Sequence, residues 1–391
     1  MKYRMVGVVD SVLTERSGAQ EVRVAVDRAA ENSEVTAPEL RNALNLTALN
    51  GAVSRGDRVL INSMAVEMGL GTGGQDFIVT RLDTPLQDGV PPGHIVKMRY
   101  TPLQMAVLSV EAPESPHHDA LRLFSGLDDT PVVCMELHSQ LPAICAAAHW
   151  SARVQAIKRQ PRIVYVMTDG AALPMALSQL VPELKQLGWL DSTITAGQAF
   201  GGDMEAVNLY SALAAAKAAA EADIIIAGPG PGTVGTATPL GFSGIDQGLA
   251  INAAASLGGV PIVAPRISFA DLRSRHNGLS HHTITVLQKV ARASTLVAMP
   301  RLPEDQRLSV EECLAIAGTN ERHEAVYIDA DKGLQALIDS GISVRTMGRT
   351  LDQERPFFLA AAATGLLASQ FAEARIQGYD RPKMPPTGLA T

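Results

Sequence analysis

Cysteine is nearly absent from this chain of 391 residues: Cys134, Cys145 and Cys313 are odd in number and show no CxxC spacing. That excludes a disulfide scaffold and a thiolate zinc finger, and it points to free thiols in a reducing compartment. No basic run occurs, and the net charge is −7 with both signs scattered. A phosphate-backbone footprint and a polybasic membrane patch are excluded, so neither nucleic acid nor membrane is an expected partner. The N-terminal residues lack the apolar core of a signal peptide, so a cytoplasmic location is expected. The most membrane-like stretch, Pro356 to Ala372, is broken by Thr364, Ser369 and Gln370 and falls short of the roughly 20 apolar residues of a spanning helix. It reads as a buried C-terminal helix.

What is present is aliphatic. The apolar share is 46% and the charged share 19%, the profile of a folded α/β protein. Residues 1–105 carry short strand patterns at Arg4 to Leu13, Glu21 to Val26, Leu44 to Leu49, Arg58 to Asn62 and Asp76 to Leu82, separated by turn residues. A small β-barrel-like domain fits them. Residues 106–130, with Glu111-Ala-Pro-Glu-Ser-Pro-His-His118, read as a connection.

From 131 to 391 the pattern changes to apolar runs alternating with helical stretches. The runs are Val132 to Leu137, Ile163 to Met167, Ser192 to Thr195, Ile224 to Ala227, Ile262 to Ala264, Leu296 to Met299, Ala325 to Ile328 and Ser343 to Arg345. Helices are predicted over Ala172 to Leu187, Met204 to Ala220, Gln247 to Leu257, Ser280 to Ala291 and Arg355 to Ala372. Strands apolar on both faces belong to a covered, mostly parallel sheet, so a doubly wound, Rossmann-like α/β domain is predicted. The Ala-rich helix around Ala212 to Ala220 offers a flat face for the sheet, and a homodimer stays open.

In such a sheet ligands bind at the strand carboxyl ends, so the residues after each run are the candidates. Glu136 and His138 follow the first run, two apart, and would share a face as an orienter and base pair if extended geometry persists; a structural hydrogen bond is the alternative. Asp169 follows the second. The fourth leads into Gly228, Gly230, Gly232, Thr233 and Gly235, which include a literal GxGxxG. Nucleotide binding, a generic anion loop and a tight turn remain three readings of it.

The densest polar segment holds Asp271, Arg273, Arg275, His276, His281 and His282. Ser280 reads as a helix N-cap, with both following histidines neutral in the first turn. A divalent metal held by His276, one of His281 and His282, and Asp169 or Asp271 is one reading; metal-free acid/base or anion recognition is a second, and a hydrogen-bonded loop a third. Adjacent helical residues point about 100° apart, which argues against both rings meeting one ion. The ligand expected here is small and anionic. An enzyme acting on such a metabolite and a non-catalytic metabolite-binding or regulatory protein are both open.

The segments Glu136-Leu-His-Ser-Gln140, Thr168-Asp-Gly-Ala-Ala-Leu-Pro174, the glycine loop, and Arg275-His276-Asn-Gly-Leu-Ser-His-His-Thr283 together resemble an uncharacterised bacterial family containing a domain of unknown function. The resemblance covers nearly the whole chain and implies a bacterial cytosolic origin without an activity. A weaker similarity, through Ala199-Phe-Gly-Gly-Asp-Met-Glu-Ala-Val-Asn208, is to the substrate-binding component of glycine, sarcosine and betaine reductase. This chain lacks a matching internal cysteine of the kind that matures to a pyruvoyl group in that component.

Overall fold

The computed structural model describes residues 3–26, 38–70, 73–83, 91–155, 157–317 and 322–379. Two compact units divide it, Met1–Val107 and Leu108–Thr391.

In the first unit, β1 (Arg4–Arg16), β2 (Ala19–Val26) and β3 (Glu39–Leu46) run antiparallel and are followed by the one-turn helix α1 (Thr47–Asn50). The chain continues through β4 (Arg58–Asn62), a second one-turn helix α2 (Met64–Glu67) and β5 (Asp76–Arg81). These strands close a barrel in the order β1-β2-β3-β5-β4, with β3 and β5 parallel and β4 returning to β1. Alternation makes this possible: Val22, Val24 and Val26 point into the core with Val9, Val59, Ile61 and Ile78, while the residues between them face outward. The strand expected at Leu44 to Leu49 starts earlier, and its last residues turn into α1. A short hairpin, β6 (Ile95–Lys97) with β7 (Met105–Val107), ends the unit.

The second unit opens with the short helix α3 (His118–Arg122) and β8 (Pro131–Met135), then α4 (Leu141–Val154) and β9 (Ile163–Thr168). Residues 108–130 are tied into it, since Val110 N donates to Glu205 O and Leu127 N to Leu257 O. Next come α5 (Leu180–Gln186), β10 (Ser192–Ala196), β11 (Met204–Ala206), α6 (Leu209–Ala218), β12 (Ile224–Pro229), α7 (Asp246–Ser256) and β13 (Val260–Ala264). A hairpin of β14 (Ile267–Ser268) and β15 (Gly278–Leu279) precedes α8 (His281–Thr285), β16 (Leu296–Pro300), α9 (Glu304–Ile316), β17 (Glu324–Ile328) and α10 (Asp331–Asp339). A second small hairpin, β18 (Arg345–Thr346) with β19 (Arg349–Thr350), leads to the long helix α11 (Arg355–Gln377).

Eight strands form one all-parallel sheet in the order β11-β10-β9-β12-β8-β13-β16-β17. Successive residues of β8 serve opposite cores: Val133 and Met135 pack with α4 and α11, and Val132 and Cys134 with α6 and α7. That is why its sequence is apolar without interruption, and it makes the sheet doubly wound. Among the described residues one helix, α11, is long and apolar enough to cross a membrane, and 89% of its apolar window is buried inside the unit.

Three expectations shift. Ser343 to Arg345 does not join the sheet; Arg345 and Thr346 pair instead with Arg349 and Thr350. The eighth sheet strand is β11, within the stretch expected to start a helix, and α6 begins only after Asn208, whose side chain accepts from Ser211 N. The predicted helix over Ala172 to Leu187 reduces to a turn at Met175–Leu177 and α5, with Ser178 extended between them.

Candidate functional site

The order of connection locates the site. From β8 the chain moves past one position to β9, goes outward through β10 and β11, returns to β12 beside β8, and then continues on β8's other side. The direction of winding therefore reverses around β8, which opens a crevice at the carboxyl ends of β12, β8 and β13. Gln140 fixes two of those ends together: its Oε1 accepts from Glu136 N and Leu137 N, and its Nε2 donates to Ala264 O at 3.1 Å.

Two groups of side chains meet there. The first lines a cleft of about 380 Å³ bordered by His138, Ser178, Gly232, Thr233, Arg345 and Met347. His138 Nε2 lies 2.7 Å from Ser178 Oγ, and Nδ1 lies 3.2 Å from the Tyr165 hydroxyl. Tyr165 donates to Pro229 O at 2.8 Å, so its oxygen is left to accept from Nδ1–H. The Nε2 lone pair then faces the Ser178 hydroxyl. Burial pushes the His138 imidazole down to about 4.

That depression has a sign. The unfolded chain takes up a proton near pH 6.5 that the folded His138 refuses until about pH 4, so stability is full above pH 6.5 and falls as pH drops through that window. Moving from pH 7 to pH 5 is expected to cost about 2 kcal/mol through this residue. Urea midpoints at the two pH values should converge by that amount in His138→Gln; an unchanged acid sensitivity would place the cause elsewhere.

The second group is the histidine cluster. Ser280 Oγ accepts from His282 N and caps α8, and it lies 2.8 Å from His276 Nδ1. His282 Nδ1 lies 2.7 Å from Glu136 Oε1, and the His282 ring stacks on Phe242 with centroids 3.8 Å apart. One ring nitrogen each from His276, His281 and His282 lies within 4.8 Å of the others, a donor set that a metal could use. Desolvation, reinforced by the surrounding cations, holds His276 down at about 3 and lowers His281 as well, so both rings are neutral near pH 7.

Glu136 is 1% exposed and also accepts from Arg266 Nη1 at 3.2 Å. Burial opposes its ionisation, but the His282 hydrogen bond and the Arg266 charge together prevail and keep the carboxyl below the usual range.

The structure rearranges several of the expected sets. Glu136 and His138 do not pair: the chain turns at His138, so the carboxylate faces His282 and the imidazole faces Ser178. His281 and His282 do converge despite being adjacent, with ring centroids 4.4 Å apart, because rotation about the side-chain torsions offsets the angular step of a first helical turn. Neither Asp169 nor Asp271 joins the histidines. The Asp169 carboxylate accepts from Gln198 N, and Asp271 is bidentate to Arg273 with Arg349 3.4 Å away. Arg273 is thereby engaged, and Arg275 is exposed.

In the glycine loop, a Cβ on Gly228 would lie 2.3 Å from Met135 Cγ and one on Gly230 2.9 Å from Ala172 O, so close packing requires both glycines. Gly232, at φ +91°, borders the cleft. The loop ends in a bridge between Gly235 and Phe242 rather than a helix, which removes the geometry of a dinucleotide fingerprint. Ser178 and Tyr165 went unnoticed in the sequence, since nothing local marks a serine in an expected helix or a tyrosine within an apolar strand.

Fold and site together define an α/β protein with a crevice at a topological switch point. The chain belongs to the DUF3866 family, proteins of unknown function, whose profile matches residues 42–365. No curated protein and no solved structure matches it. The glycine reductase similarity gains no support: in its segment Met204 to Ala206 form the edge strand β11, and Asp203 accepts from Lys185 and Thr193 N.

Proposed function

We propose that the second unit is a cytoplasmic enzyme acting on a small anionic metabolite in the strand-end cleft, with His138 as its base. The observation that carries this reading is the oriented imidazole: Tyr165 fixes the tautomer, and Nε2 meets a hydroxyl inside a cleft of metabolite size. Anion preference follows from the cleft wall. Gly232 and Thr233 have no acceptor for their backbone N–H groups among the described residues, and Arg345 adds a cation. Three free cysteines, two of them buried, are consistent with a reducing compartment.

The test is a thermal-shift and calorimetric screen of the full chain against phosphate and small mono- and dicarboxylates. Arg345→Ala is expected to weaken a bound anion by at least about tenfold, the range of one charge-assisted contact. His138→Gln should leave binding largely intact and abolish turnover. Binding without turnover in the wild type would leave a non-catalytic metabolite-binding protein, and no anion response at all would remove the site.

A further inference from the structure

We propose that His276, His281 and His282 bind one divalent transition cation of the zinc class and leave one coordination position open. The inference stands apart from the cleft reading, since it uses different side chains.

Each ring is prepared in a different way. Glu136 Oε1 lies 2.7 Å from His282 Nδ1 and takes its N–H, which leaves the Nε2 lone pair of His282 free. Ser280 Oγ has two lone pairs. One accepts from His282 N and the other can take Nδ1–H of His276, which frees that Nε2 as well. His281 Nε2 is buried and has no hydrogen-bond partner among the described residues. Three imidazoles gathered around an unpaired buried nitrogen are costly without a shared partner, and a cation supplies it.

Distances agree. Tetrahedral zinc with Zn–N near 2.05 Å places ligand nitrogens roughly 3.3 Å apart. One ring nitrogen from each histidine lies within 4.8 Å of the others, so modest ring rotation closes the set. Imidazole donors select zinc, cobalt, nickel or copper over magnesium or calcium. Among the described residues no carboxylate or thiolate joins the three, which is the donor count of a catalytic rather than a structural zinc site. Glu136 acts as a positioning residue, as carboxylates behind ligating histidines do.

The centre also adjoins the crevice. Glu136, which holds His282, lies two residues before His138, and a side chain at Gly235 would meet the His282 ring 3.9 Å away.

Untagged full-length protein is titrated with Zn²⁺ against a chelating dye, and with Co²⁺ while its visible d–d spectrum is recorded. One equivalent is expected to bind, with the intense band of a low-coordinate nitrogen site. His276→Ala, His281→Ala and His282→Ala should each weaken binding at least about 100-fold, Glu136→Gln about 10- to 100-fold, and the remote His149→Ala not at all. Circular dichroism shows which variants are folded. If a variant unfolds, the wild-type cobalt spectrum decides alone: a weak six-coordinate spectrum overturns the proposal. So does absence of a stoichiometric site in the wild type, or one that survives all three histidine substitutions.

Discussion

Glu136→Ala is expected to lower the folding stability of the second unit by about 3–5 kcal/mol, because it strands a buried charge. Arg266 is 5% exposed and is held by Glu136 at 3.2 Å, with Asp271 next at 3.7 Å. Asp271 is already bidentate to Arg273. It therefore cannot replace the lost partner without giving up a better one. The same substitution leaves His282 Nδ1 without an acceptor. Pairing the change with Arg266→Met should recover much of the loss, since replacing both members of a buried pair with apolar groups is often close to neutral. Urea unfolding of the two single variants and the double variant measures this as a cycle. A Glu136→Ala penalty under about 1 kcal/mol, or an unchanged penalty in the double variant, would show that the pair does not bear on stability.

The fold was legible where a rule is local. Strands covered on both faces must be apolar throughout, and seven of the eight expected runs lie in the parallel sheet. Ser343 to Arg345 misled because three residues near a turn match a strand as well as they match a small hairpin. The edge strand Met204 to Ala206 escaped notice because an edge needs only one pairing partner and carries no apolar run.

The site was legible as strand ends but not as pairs. Residues 136, 138, 230–235 and 266–283 all follow strands of the sheet, and a switch point in a doubly wound sheet gathers such residues. Which of them meet depends on strand order, and local pattern does not encode that. Because β12 inserts between β9 and β8, Tyr165 on β9 reaches Pro229 on β12 as well as His138 after β8. The Ser280 cap was readable from the sequence. The meeting of His281 with His282 was not, since it depends on side-chain torsions and on Phe242, which arrives from a different hairpin.

Gly365→Ala is expected to cost about 3 kcal/mol or more, the upper range for overpacking. Local propensity alone would give the opposite sign, since Ala is favoured over Gly by about 1 kcal/mol within a helix. Packing decides it. Gly365 lies in the buried middle of α11, where a Cβ would fall 2.2 Å from the carbonyl oxygen of Ile144 and 2.9 Å from its carbonyl carbon, both backbone atoms of α4. No rotamer change relieves a collision with backbone, so the helices must separate. Gly333 of α10 faces the same helix, with a Cβ there 2.9 Å from that of Ala147, so α4 has little room to retreat. The disturbance should also reach the site, because α4 follows directly from Gln140, which ties β8 to β13. Urea unfolding gives the energy, and metal affinity of the still-folded fraction tests the transmission. If Gly365→Ala matched or exceeded wild-type stability, the close crossing of α4 and α11 would be wrong.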